Sequence, residues 1–305
     1  MTHSERRYVI VGGALAALLL LTLTTALPIL QHPTACAGVE TPHLLAKAAY
    51  AKDLSTSAVI VAVNADAQLP LASLTKLMTI YVAGSMVSAT STITITPAAL
   101  APEGDAGLVV GERWRADDLM SFTLIESAND GAHALALAAA QSAHITIGDF
   151  VAQMNATAAS LGLSNTYFVN DTGLDQSTIS AGAYGSARDM ATLVAAVTTR
   201  APDLLAGAAV TTKRFVSLSG TVHIARHTSA LAGVIPDEAA VKTGFTDLAG
   251  GNIALIVEPI PGHPTAIVIL GSTREGRDQD ALSLITAART FEKRAILCNS
   301  LESRL

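Results

Sequence analysis

With 305 residues, half of them hydrophobic and 4% aromatic, the chain holds enough Ala, Leu and Val to fill the core of one large domain or two small ones, which excludes a disordered protein. Its formal net charge is −6, and from Gly38 onward 17 basic residues stand against 24 acidic ones with no basic run, which disfavours a nucleic-acid partner. The eight His are scattered without the spacing of a zinc site, so neither metal nor cofactor is expected.

Met1 to Arg7 is a short polar head carrying Arg6 and Arg7, and residues 8–30 are uncharged and mostly apolar. This pattern is membrane-directed, with the positive end left in the cytoplasm and the rest of the chain outside it. At about 1.5 Å per residue the run is long enough to span a bilayer as an anchor. Pro28 and the small-x-small Ala35-Cys36-Ala37 also fit a cleaved signal peptide. The length favours retention. Residues 1–37 are therefore read as signal-anchor or signal peptide with linker, and 38–305 as one catalytic domain. Cys36 lies in the membrane-proximal stretch, and it and Cys298 are expected to be unpaired and without a catalytic role.

Further along, 43–52 reads as a short helix and 57–64 as a β-branched strand. From Ser73, the stripe Leu74, Leu77, Met78, Tyr81 and Val82 marks an amphipathic helix. A strand is expected over 90–96, and a helix from Asp117 to near Ser127, with Leu119, Phe122 and Ile125 buried. Asp130 would cap the next helix, to about Gln141. A helix over 149–161 would close at Gly162, and Ser186-Ala-Arg-Asp189 resembles a capping box. Strands are expected over 214–222, 239–246, 252–258 and 265–270, and a helix over 281–293. Strand, many helices, consecutive strands and a helix make an α+β fold with an antiparallel sheet.

Three short signals occur in one order. Ser73-Leu74-Thr75-Lys76 opens a helix, Ser127-Ala128-Asn129 sits in a break between helices, and Lys242-Thr243-Gly244 sits in a strand. Residues three apart are neighbours on a helix, so Lys76 can reach Ser73. A serine hydroxyl attacks well only when a base takes its proton, and a lysine is that base only if its ammonium is destabilised by burial or a second cation, here Lys242. Ser127 can pass a proton toward a leaving amine, and Asn129 offers a donor and an acceptor for a peptide group. Lys242 and Thr243 suit a carboxylate, and Gly244 lets a substrate lie close. Strand alternation points Lys242 and Thr243 to opposite faces, so both serve one ligand only along an exposed strand edge. Trp114, His133 and the methionines are read as packing or surface residues, and Glu126 and Asp130 as serving the helix dipole.

Each signal alone is common on protein surfaces; their order and context make them specific. The surroundings resemble the serine D-alanyl-D-alanine carboxypeptidases, the low-molecular-mass penicillin-binding proteins. Leu71-Ala-Ser-Leu-Thr-Lys-Leu-Met-Thr79, Leu124-Ile-Glu-Ser-Ala-Asn-Asp130 and Val241-Lys-Thr-Gly-Phe-Thr-Asp-Leu-Ala-Gly250 match that family's three motif segments. Phe168-Val-Asn, Gly173-Leu-Asp175 and Ser186-Ala-Arg-Asp-Met190 follow its pattern. The resemblance implies a β-lactamase/transpeptidase-like fold, an antiparallel sheet flanked by helices with a helical subdomain. It implies removal of the terminal D-Ala from peptidoglycan stem peptides through an acyl-serine, with β-lactams as covalent inhibitors. Ser73 would be the nucleophile, Lys76 its base and Ser127 a proton relay. Asn129, Lys242, Thr243 and Gly244 would hold substrate, and the backbone N–H groups of Ser73 and Phe245 would form the oxyanion hole. The stretch 227–231 matches the family's Asn-rich segment poorly, and no site is placed there.

Three rivals remain. A class A β-lactamase needs a glutamate for deacylation, and none lies between Glu126 and Glu238. A D,D-endopeptidase acting on cross-links would use the same motifs. A non-enzymatic penicillin or muropeptide sensor would need a cytoplasmic effector, and seven residues precede the apolar run.

Overall fold

A computed structural model describes residues 38–235 and 238–302. The N-terminal apolar run, and with it the choice between anchor and signal peptide, lies outside the described residues. Among the described residues no single helix is long and apolar enough to cross a membrane.

The main sheet joins the two ends of the chain. β1 (Ala48–Asp53) and β2 (Val59–Val63) share one sheet with the late strands β10 (Glu238–Thr246), β11 (Gly250–Val257) and β12 (Thr265–Ser272), joined through β1 and β12. The order is β10-β11-β12-β1-β2, every neighbour antiparallel, so the α+β expectation holds. Residues 43–52, expected as a short helix, are not helical. Instead Ala48 to Asp53 is held between two ladders, with Ala48, Ala49 and Ala51 fully buried. Small side chains let both faces of β1 pack closely, and this overrides local propensity.

Between β2 and β10 the chain builds the helical body. β3 (Leu69–Pro70) leads through a 3₁₀ turn, Ala72–Leu74, into α1 (Thr75–Met86). The hairpin β4 (Thr92–Thr94) and β5 (Arg113–Arg115) precedes α2 (Ala116–Glu126) and α3 (Asn129–Ala143). α4 (Ile147–Ser160) carries a full capping box of Thr146 and Asp149. β6 (Tyr167–Phe168) and β7 (Ala183–Gly185) join β3 in a small sheet, followed by α5 (Ala187–Arg200) and α6 (Pro202–Ala206). Ser186 accepts from the Asp189 N–H as expected, while the Asp189 carboxylate turns to the Asn165 N–H and the Thr166 hydroxyl.

Asp130 does not cap α3. It lies in the first turn, where its carboxylate takes the N–H groups of Ala106 and Gly131, and so holds a loop against the helix start. The strand expected over 214–222 is a hairpin, β8 (Thr212–Val216) and β9 (Val222–Arg226), because Gly220 at φ 87° allows a turn that the β-branched run disguised. Trp114 belongs to the core, against Phe122, Phe215 and His223.

The last helix, α7 (Gly276–Glu302), is longer than expected and covers one face of the main sheet through Ala281, Leu284, Ala288 and Phe291. The helical body covers the other face, meeting Ala240, Ala254, Ala266 and Val268. Cys298 on α7 is disulfide-bonded, which corrects the expectation of two unpaired thiols; its partner lies outside the described residues.

Candidate active site

The cleft lies where the free edge of β10 meets the helical body, and the structure brings all three motifs to it. Ser73 sits in the 3₁₀ turn ahead of α1 rather than inside the helix, and the preceding Ala72 takes φ 48° to make that turn. Lys76, one turn on, is fully buried. Its Nζ is 2.7 Å from Ser73 Oγ, 2.7 Å from Asn129 Oδ1 and 2.9 Å from the Thr172 carbonyl oxygen.

Burial lowers the Lys76 pKa to about 7, against the opposing pull of Asp171 and Asp130. The neutral amine therefore exists near neutral pH. It has two N–H groups and one lone pair. Two of its three neighbours, the Asn129 and Thr172 carbonyl oxygens, can only accept. The lone pair is thus left for the one partner that can donate, the Ser73 hydroxyl.

Ser127, between α2 and α3, is left-handed at φ 63°, a conformation uncommon for a non-glycine residue. That bend ends α2 and turns the Ser127 hydroxyl to Lys242, whose Nζ donates to Ser127 Oγ at 2.8 Å and to the Thr243 carbonyl at 2.7 Å. Lys242 is fully buried, and burial together with the nearby Lys76 and Arg277 charges pushes its pKa well down. The alternation expected along β10 holds. Lys242 pairs with Ala254 and points to the helical body; Thr243 pairs with Ile253 and points to the α7 side. Thr243 lines the cleft directly, and the buried Lys242 reaches it through the Ser127 hydroxyl, because β10 is an edge strand beside the helical body.

Asn129 is more committed than its sequence role implies. Its Oδ1 accepts from Lys76 and its Nδ2 donates to the Glu103 carbonyl at 2.7 Å. Gly244 has a steric reason of its own: a Cβ there would lie 2.9 Å from both the Leu71 oxygen and the Ser73 nitrogen. β10 can approach the Ser73 turn only without a side chain. Phe245 borders the cleft, with the Arg274 guanidinium 4.0 Å from its ring centre.

Several site residues escaped the sequence reading. Thr228 bonds Thr243 hydroxyl to hydroxyl, and Ala230 and Leu231 line the cleft of about 790 Å³, so the stretch 227–231 does contribute. Arg277, on the first turn of α7, donates to the Gly244 carbonyl at 3.0 Å and the Thr228 carbonyl at 2.7 Å, tying both walls together. The Asn170–Asp175 loop supplies the Thr172 carbonyl. Its shape comes from Asn170, whose Oδ1 takes the N–H groups of Thr172 and Gly173. The resemblance marked that loop by its pattern without giving it a role.

A model of the D-alanyl-D-alanine carboxypeptidase family matches residues 35–272. The chain belongs to that family. D-alanyl-D-alanine carboxypeptidase DacC of Escherichia coli is 36% identical over 176 residues, which is 53% of this chain and 42% of that protein. DacA of the same organism is 30% identical over 268 residues, 82% of this chain and 62% of that protein. The chain thus spans less than two thirds of the length of either relative. Among solved structures, penicillin-binding protein D2 of Listeria monocytogenes in its cefotaxime-bound form aligns with a TM-score of 0.69 and 27% identity, over 82% of this chain and 99% of that one. The β-lactamase/transpeptidase-like fold implied by the resemblance is therefore the fold observed.

Proposed function

We propose that the protein is a serine D,D-carboxypeptidase that removes the terminal D-Ala from peptidoglycan stem peptides outside the cytoplasmic membrane. The observation that carries this reading is the buried Lys76 amine, with a pKa of about 7 and its lone pair left for Ser73 Oγ at 2.7 Å. Lys76 takes the Ser73 proton as the oxygen attacks the carbonyl of the penultimate D-Ala. The N–H groups of Ser73 and Phe245 stabilise the oxyanion. Ser127, bonded to Lys242, relays to the leaving amine the proton that Lys76 took up, which returns both Ser127 and Lys76 to their neutral forms. The Lys242 and Thr243 side of the cleft receives the terminal carboxylate, and Asn129 holds the amine of Lys76 and the peptide beside it. Water then releases the acyl group, with Lys76 again placed to accept a proton. The N-terminal apolar run supports export or anchoring, which puts the domain where its substrate lies.

β-Lactams mimic the scissile amide and should acylate Ser73. No glutamate lies between Glu126 and Glu238 to activate a deacylating water, so the adduct should persist. Intact-mass spectrometry after mixing with penicillin should show one adduct per chain, absent in Ser73→Ala. Lys76→Arg keeps the charge but cannot give up its proton, and should acylate ~10²–10⁴-fold more slowly. With muropeptides, the product should lack one terminal alanine while cross-linked dimers survive. Loss of dimers instead would mean endopeptidase action, and penicillin turnover without an accumulating adduct would mean a β-lactamase.

A further inference from the structure

Three ligand-type side chains outside the cleft meet at the far end of the main sheet. Asp53 is the last residue of β1, on the α7 face with Ala49 and Ala51. His263 lies in the turn between β11 and β12, and Glu292 on α7. His263 Nδ1 is 2.9 Å from Asp53 Oδ2 and 3.1 Å from Glu292 Oε2, and one ligand atom from each residue lies within 4.8 Å of the others. Asp53 and Glu292 are 0% and 1% exposed, while His263, at 25%, opens the cluster to solvent.

The two carboxylates are held differently. Asp53 is pinned by the N–H and hydroxyl groups of Ser55 and Thr56. Glu292 has no such set: its Oε1 is buried with no hydrogen-bond partner. A buried carboxylate oxygen left unpaired beside a second carboxylate is costly, and a shared cation offsets that cost. A tetrahedral ion with ligands at ~2.0–2.1 Å needs ligand atoms ~3.3 Å apart, a few tenths of an ångström from the two spacings to His263.

We propose that Asp53, His263 and Glu292 bind one divalent transition-metal ion of the zinc type, with water in the fourth position. Two carboxylates and one neutral imidazole balance a 2+ charge, and a mixed nitrogen–oxygen set of three suits Zn²⁺ over Ca²⁺ or Mg²⁺, which prefer oxygen shells of six or more. Binding displaces the Nδ1 proton to solvent. The ion would clip the end of β1, the β11–β12 turn and α7 together. Its role is structural. Asp53 stands opposite Thr265 on β12, whereas the cleft residue Thr243 aligns through Ile253 with Ile269, four residues along and about 13 Å away by strand rise alone.

The test uses the full chain, stripped with a chelator and then given ZnCl₂ or CoCl₂. One ion should bind per chain. At free Zn²⁺ about a hundred times Kd the Tm should rise by roughly 5–10 °C. Co²⁺ should give the strong visible bands of a four-coordinate site. The penicillin acylation rate should not change on stripping. Glu292→Gln preserves shape and should lose the Tm rise, as should His263→Gln at its partly exposed position, which serves if the first variant folds poorly. No rise in the wild type, or an equal rise in both variants from zinc on other histidines, would overturn the proposal. A fall in acylation on stripping would overturn the structural role.

Discussion

Lys76 gathers its behaviour from neighbours that can be changed one at a time. Burial holds its pKa near 7, and Asp171 and Asp130 pull it upward. The base form exists above that pKa, so acylation should rise with pH through about 7 and level off beyond it. Two substitutions should move this limb in opposite directions. Asn129→Asp puts a carboxylate where an amide oxygen now lies 2.7 Å from Nζ, which stabilises the ammonium. An opposite charge at this range raises a lysine pKa by roughly 1–3 units. Acylation at pH 7 should then fall ~10–10³-fold and recover at higher pH. Asp171→Asn removes a charge that favours the ammonium, so the limb should move to lower pH. Stopped-flow acylation by a chromogenic β-lactam across pH 5–10, a range of about five units around the limb, tests both. Limbs that stay in place in both variants would show that Lys76 is not the titrating base.

At the scale of elements, the site depends on segments that touch without side chains. Gly173 has φ 82°, and a Cβ there would lie 2.0 Å from the Ala72 oxygen. The loop that supplies the Thr172 carbonyl to Lys76 therefore rests directly on the turn that carries Ser73. Gly173→Ala should strain both and destabilise the protein by about 1–3 kcal/mol, with a larger loss in acylation than in fold, because Ser73 and Lys76 move relative to each other. Urea unfolding alongside acylation rates separates the two. A variant with wild-type acylation would mean that the contact relaxes freely. The same contacts explain what was legible in the sequence. Ser73, Lys76, Ser127 and Lys242, which the fold brings together, stood out in the sequence because the proposed chemistry needs fixed residue types at short spacings. β1 was misread because alanine is as useful in a tightly packed central strand as in a helix. Arg277, Thr228 and the Asp53–His263–Glu292 cluster act through partners 15 to 210 residues away, and no local pattern records such pairings.

For the molecule as a whole, the edge of the main sheet is the exposed flank of the cleft, and the stretch after β9 covers part of it. His227 joins the two. Its Nε2–H donates to the Val241 carbonyl on β10 at 3.3 Å, and its Nδ1 accepts from the Ser229 N–H at 2.9 Å. One nitrogen donates and the other accepts, so the ring is held neutral. Burial first, and the nearby Lys242 charge second, lower its pKa to about 4. The unfolded chain takes up this proton near pH 6.5, as the usual histidine value requires. Between about 6.5 and 4 the unfolded state therefore binds more protons than the folded one, and stability falls as pH falls. The stabilisation is complete above pH 6.5, and the loss by pH 4 amounts to about 3 kcal/mol. His227→Asn keeps an acceptor for the Ser229 N–H, as Asx turns do, and has nothing to protonate. Urea midpoints at pH 7.5 and 4.5 should differ less in this variant than in the wild type, by roughly that amount at a similar slope. The comparison between the two pH values cancels the fixed cost of losing the Val241 bond and the protonation of carboxylates common to both proteins. Equal acid sensitivity in the two would mean that the ring reaches water before the fold is lost, and that the cover over β10 opens independently of the sheet.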